Sequence, residues 1–211
     1  MNIIVIGANG QIGREAVKKL KEQGQHTVRA AIRKESQKDY FRDLGVETVM
    51  LDLESPLKDI TEAIKGNQIV VFTAGSGGST GADKTLLIDL DGAVKTIEAA
   101  ESIGAEQFIM VSAYGADQRS TWSEAIKPYY VAKYYADKEL LDSSLAFTIL
   151  RPTGLSNEEG TSNISLDKPS KQIPRQDVAA VIAECAGNPK AYHKSFNLFS
   201  GDMPISSLFN Q

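Results

Sequence analysis

The chain is poor in the residues that build disulfides and metal centres. Cys185 is the one cysteine among 211 residues, so no internal disulfide can form. It falls in the pattern Val181, Ile182, Cys185, Ala186 of a predicted helix and reads as a buried structural thiol. The two histidines, His26 and His193, stand beside predicted strand starts without metal-ligand neighbours, so no metal site is expected. Charge of one sign is also scarce. With 23 basic and 27 acidic residues the net charge is −4, scattered along the chain, which leaves no basic face for nucleic acid. No apolar run approaches the length that crosses a bilayer, and the start lacks the basic and apolar regions of a secretion signal. A cytoplasmic protein acting on a small molecule, away from membranes, is the expectation. No internal repeat is visible, and nothing in the composition fixes an oligomeric state.

What is present begins at the first residues. Ile3 to Ile6 is a short β-branched run, long enough for a strand buried on both faces and too short for a helix. It breaks into Gly7-Ala8-Asn9-Gly10-Gln11-Ile12-Gly13, and Ala16, Val17 and Leu20 then recur at helical spacing. In such a strand, turn and helix the glycines divide their duties. Gly7 permits a tight turn, Gly10 lets backbone approach a pyrophosphate, and Gly13 allows close helix–strand packing. The helix N-terminus offers unpaired N–H groups and the positive end of its dipole to an anion.

The remaining chain alternates strands and helices. Thr27 to Arg33 reads as a second strand, ending at Arg33-Lys34 about twenty residues beyond the glycines, where an acid would bind a ribose 2′-OH and a cation suits a 2′-phosphate. These two residues either select NADP or are solvated charges at a strand end. A helix over Glu35 to Leu44 precedes a third strand, Val46 to Leu51, closed by Asp52-Leu53. Asp52 either accepts from an adenine amino group or caps the next turn. A short helix through Leu57, Ile60, Ala63 and Ile64 leads to a fourth strand, Ile69 to Ala74. Gly75 to Gly81 holds four glycines in seven residues, either a close approach to a ligand or a connector. A helix from Lys84 to Ile103 and a fifth strand, Glu106 to Ser112, follow.

Pro128-Tyr129-Tyr130-Val131-Ala132-Lys133 opens a helix with Tyr129 and Lys133 on one face. An ammonium there favours phenolate and would tune Tyr129 as a general acid or base, with Ser112 able to bond the same reacting oxygen. The alternative is that a helix also carrying Tyr130, Tyr134 and Tyr135 uses its aromatics for packing. Phe147 to Pro152 reads as a sixth strand, 153 to 174 as a polar loop for substrate specificity, Ile173 to about Gly187 as an entry into a helix, and Ser195 to Phe199 as a last strand.

The glycine segment, Asp52-Leu53, Val111-Ser112-Ala113, the Tyr129 to Lys133 segment and Leu150-Arg151-Pro152-Thr153-Gly154 occur in the order seen in the short-chain dehydrogenase/reductase family. The chain resembles its atypical branch of small NAD(P)-binding epimerases and reductases, including biliverdin/flavin reductase-like and NmrA-like proteins. The strand–helix alternation and the glycine segment themselves imply an α/β fold, with which the resemblance agrees: one Rossmann-type domain over 1–211 with a doubly wound parallel sheet of six or seven strands, ordered 3-2-1-4-5-6 in its main part. Within such a fold, Arg33 and Lys34 favour NADP over NAD. Cofactor contacts are implied at Gly7, Asn9, Gly10, Gln11, Ile12, Gly13, Arg33, Lys34, Asp52, Leu53, Ala74, Gly75, Ser76, Lys133 and Pro152. Catalytic roles are implied for Ser112, Tyr129 and Lys133, with Asp89 where the family commonly has asparagine, positioned to organise Lys133 through water. The expected activity is reduction of a small carbonyl or conjugated acceptor, or a related epimerisation. The alternative is a non-catalytic NADP(H) sensor of the NmrA-like type.

Overall fold

The computed structural model describes residues 1–78 and 80–210, so Ser79 of the glycine-rich stretch lies outside the described residues. Strand β1 (Asn2–Ile6) is central, and Ile3 to Ile6 are essentially free of solvent exposure. Alternate residues serve opposite faces, as a strand's two-residue period requires. Ile3 and Val5 face α1 (Gln11–Gln23) and α7 (Arg175–Cys185), while Ile4 and Ile6 face α3 (Leu57–Ile64) and α5 (Gly92–Ser102).

Around β1 lie β2 (Thr27–Ile32), β3 (Glu47–Met50), β4 (Ile69–Phe72), β5 (Gln107–Val111) and β6 (Ala146–Pro152), in the order β3-β2-β1-β4-β5-β6 and all parallel. This is the expected doubly wound sheet, and its order reverses between β1 and β4. Short α2 (Lys38–Asp43) replaces most of the helix expected over 35 to 44, whose first residues form a 3-10 turn. Helix α6 (Lys127–Asp142) packs its Ala136 and Leu140 on the α3 side.

Three features differ from expectation. The last strand, β10 (Lys194–Pro204), is 11 residues long and runs parallel to β6 before turning to pair antiparallel with β8 (Asn163–Ser165), so the sheet has eight strands. The region expected as a polar loop over 153 to 174 holds β8 and a separate two-stranded sheet, β7 (Gly154–Ser156) with β9 (Gln172–Pro174). The helix expected from Lys84 to Ile103 is α4 (Ala82–Lys84), a π-helical stretch over Thr85–Asp91, and then α5. In π geometry each turn takes an extra residue, and such stretches gather at functional sites. Here it carries Asp89. No helix among the described residues is long and apolar enough to cross a membrane, and no group of three or more His, Cys, Asp or Glu among them could hold a metal ion. Cys185 is buried, and desolvation pushes its thiol pKa up.

Candidate functional site

The carboxyl ends of β1, β4 and β5 open onto a cleft formed by two contiguous cavities of about 460 and 630 Å³, within the range of small-molecule sites. Close backbone contacts at glycines shape one side of the first cavity. Gly7 has φ +75°, and a Cβ there would come within 2.6 Å of the Ala74 backbone, so β1 and β4 can close on each other only at glycine. A Cβ on Gly13 would lie 2.3 Å from Gly7 O and 2.8 Å from Ala8, whereas one on Gly10 would meet only Gly7 O at 3.2 Å. Gly10 borders both cavities and is the N-cap of α1 without a side chain to satisfy the first N–H groups. The first turn of α1 also lacks an acid.

Asn9, Arg33, Asp52, Leu53, Ala74, Gly75 and Ser76 line the first cavity, and Gln11 and Ile12 the second. Asn9 accepts a 2.6 Å bond from Arg14, whose guanidinium stacks on Tyr40. Asp52 accepts from Glu54 N at 3.0 Å, so it caps the turn while also bordering the cavity. Gln37 Oε1 accepts from the backbone N–H of Arg33 and Lys34, which fixes the chain where β2 ends and leaves the exposed Arg33 side chain beside the cavity. Lys34 is exposed and Pro152 is buried in β6, and neither is among the lining residues.

The second cavity is bounded by side chains. Ser112, Tyr129, Lys133 and Asp89 all border it. Lys133 Nζ lies 3.1 Å from Asp89 Oδ1, with both side chains at most 4% exposed. The contact is direct, where the substitution of acid for asparagine suggested a water between them. The other oxygen, Asp89 Oδ2, accepts from Ser76 N at 2.9 Å and ties the glycine-rich stretch to the π-helical one. Lys133 Nζ is 5.6 Å from the centre of the Tyr129 ring. Desolvation acts most strongly on this lysine and lowers its pKa, but Tyr129 and Asp89 outweigh it and the net direction is up. Desolvation also dominates at Tyr129, raising its pKa against the opposing pull of Lys133. Burial thus favours the neutral phenol while Lys133 favours phenolate, opposing pulls on one proton at Tyr129. Tyr130 stacks on Trp122 at 6.1 Å and Tyr134 meets the same ring edge-on, so packing accounts for those two.

Behind the cavity stands a second set of buried charges. Asp137, one helical turn beyond Lys133, accepts from Arg151 Nε of β6 at 2.9 Å, and Arg151 also pairs with Asp117 at 3.2 Å. Burial pushes the Asp137 carboxyl up, opposed by Arg151, by the Ser112 hydroxyl and by Lys133. Asp137 was not among the sequence candidates, although its spacing signals it: Tyr129, Lys133 and Asp137 fall at four-residue steps on one face of α6. Arg151, within the Leu150 to Gly154 segment of the resemblance, and Arg175, which borders the second cavity, were not among the sequence candidates either.

Residues 7–189 match the model of a family described as NAD(P)H-binding. The chain belongs to this NAD(P)H-binding family. Over the full length of both chains it is 49% identical to a Bacillus subtilis (strain 168) protein named an uncharacterized sugar epimerase. A solved Bacillus halodurans protein, provisionally named an NAD-dependent epimerase/dehydratase, superposes with a TM-score of 0.94 at 41% identity, covering 100% of this chain and 99% of that one. A Lactococcus lactis protein described as an oxidoreductase superposes at 0.88 with 28% identity, covering 100% and 98%. The family is thus oxidoreductase- and epimerase-like. Its fold is the Rossmann-type NAD(P)-binding one.

Proposed function

We propose that this protein is an NADP(H)-dependent oxidoreductase, working as one domain, that reduces a small carbonyl or conjugated acceptor. The observation that carries this reading is the convergence of Tyr129, Lys133, Asp89 and Ser112 on a cavity continuous with the glycine-lined one. The N–H groups at the start of α1 would receive the pyrophosphate and Arg33 the 2′-phosphate. When bound, the nicotinamide supplies the hydride.

The chain's own residues do the rest. Ser112, buried beside Asp137 and bordering the cavity, can turn its hydroxyl to donate to the acceptor oxygen. Tyr129, whose neutral form burial favours, gives its proton to that oxygen as negative charge develops. Lys133 lowers the cost of the phenolate that results. Asp89 keeps the ammonium fixed beneath the tyrosine and positions Ser76 of the adjoining loop. The name of the Bacillus subtilis relative favours one second reading, an epimerase in which the same residues serve both removal and return of hydrogen at one carbon.

Calorimetry with NADPH and NADH tests the cofactor assignment. Arg33 should favour NADPH by about 10- to 150-fold, the worth of a charge-assisted contact of roughly 1.5–3 kcal/mol, and Arg33→Ala should abolish the preference. Equal wild-type affinities would make Arg33 a solvated strand end.

A further inference from the structure

The second cavity carries a charge that the reading above does not use. Its lining contains three ionised side chains, Asp89, Lys133 and Arg175. The first two neutralise one another at 3.1 Å, which leaves Arg175 as the excess charge. Arg175 opens α7 directly after β9 and is half-buried. Its guanidinium makes one hydrogen bond, from Nη1 to Asn157 Oδ1 at 2.7 Å, and no salt bridge among the described residues. A guanidinium has five donors in a planar fork, and a neutral amide oxygen takes up only one of them.

Fastening the neighbouring loop does not require this cation. The two residues after it do that work: Gln176 Oε1 accepts from Gly160 N at 2.9 Å, and Asp177 accepts from Thr161 N at 3.0 Å and Ser162 N at 2.9 Å. The lining of the same cavity also includes the apolar Leu155, Ala125, Ile126 and Pro128. One cavity is therefore lined by apolar side chains, by the Arg175 fork and by Tyr129. Arg175 borders only this cavity and not the one at Arg33, where the 2′-phosphate is placed.

We propose that the substrate carries a carboxylate, or an anion of like shape, bound by Arg175, with its reactive carbon beside Tyr129. This deepens the oxidoreductase reading and rests on its assignment of the Tyr129 cavity as the reacting end. An anion could also come from the cofactor's pyrophosphate, and the experiment separates the two sources.

Benzoate and its neutral analogue benzamide are titrated calorimetrically into protein saturated with NADP+, using the wild type, Arg175→Ala, Arg175→Lys and Asn157→Ala. Wild type should bind benzoate in preference to benzamide. Arg175→Ala should weaken benzoate by about 10- to 150-fold, with benzamide and NADP+ affinities unchanged. Arg175→Lys should restore part of the loss, since it keeps the charge without the fork. Asn157→Ala should leave benzoate binding intact. Equal benzoate affinity in wild type and Arg175→Ala overturns the proposal. So does a fall in NADP+ affinity in Arg175→Ala, which would give the cation to the cofactor. Failure of the wild type to bind NADP+ would instead sink the oxidoreductase reading, and benzoate titrated into the protein alone would still decide whether Arg175 is an anion site.

Discussion

The two halves of the cleft are built from different materials. On the β1 side the site is backbone: a left-handed Gly7, an uncapped helix start at Gly10, and a contact at Gly13 too close for any Cβ. On the β5 side it is side chains from the π-helical stretch, β5, α6 and β6, with two ion pairs taken almost wholly out of water. The first kind of site is fixed by local sterics and tolerates no added atom. The second is fixed by charge balance and tolerates no missing partner.

The largest effect should come from breaking that balance. Arg151→Leu leaves Asp137, 2% exposed, as a buried carboxylate without its cation, a change that costs about 3–5 kcal/mol. Urea unfolding measures it, and adding Asp137→Asn should recover much of the loss. The pH dependence has a definite sign. Burial raises the folded pKa of Asp137 above its unfolded value, so its favourable contribution is complete only in acid and is lost as pH rises through the folded pKa. The Arg151→Leu defect should therefore deepen from acid toward neutral pH. A defect constant across that range would mean that packing, not charge, is what Arg151 supplies.

On the backbone side, Gly13→Ala should cost about 1–3 kcal/mol, because the new methyl meets backbone atoms of Gly7 and Ala8 that cannot swing away. Gly10→Ala sharpens the contrast, since its methyl meets only Gly7 O at 3.2 Å. Stability should change little, whereas NADPH affinity should fall by at least about tenfold, or 1.4 kcal/mol. Equal losses of stability in the two variants would show that both glycines serve packing alone.

The smallest effect lies outside the cleft. Burial, then the nearby N-terminus, lowers the pKa of His26 from its ordinary 6.5. A lowered histidine takes nothing from stability above the unfolded value and weakens the fold as pH falls through it. Thermal midpoints should drop slightly in mild acid for the wild type and less for His26→Gln, with the cleft variants unaffected in this respect.

The same division explains what could be read from the sequence. The order of the first six strands was legible because each strand is a short run centred on apolar residues between helical segments and the glycine spacing is local. Strands β7, β8 and β9 were not, since three residues with one apolar centre carry no period. The π-helical turn was hidden for a related reason. Leu87, Leu90 and Val94 fit an ordinary helix equally well, so their spacing does not reveal the extra residue per turn. Ser112, Tyr129, Lys133 and Asp89 could each be named in advance, but the protonation of Tyr129 depends on how much protein surrounds it, which one strand and one helix cannot tell. Arg151 needed β6 to be laid against α6 before its partner was known.

The central claim is that the neutral phenol of Tyr129, and not that of Tyr130, delivers the proton that accompanies reduction. NADPH-dependent reduction of 4-nitrobenzaldehyde, measured for wild type, Tyr129→Phe and Tyr130→Phe, tests it most directly. Tyr129→Phe should lower kcat by about 10²–10⁴-fold with unchanged affinity for NADPH, and Tyr130→Phe should turn over normally. Full activity in Tyr129→Phe, or a loss confined to Tyr130→Phe, would contradict the account.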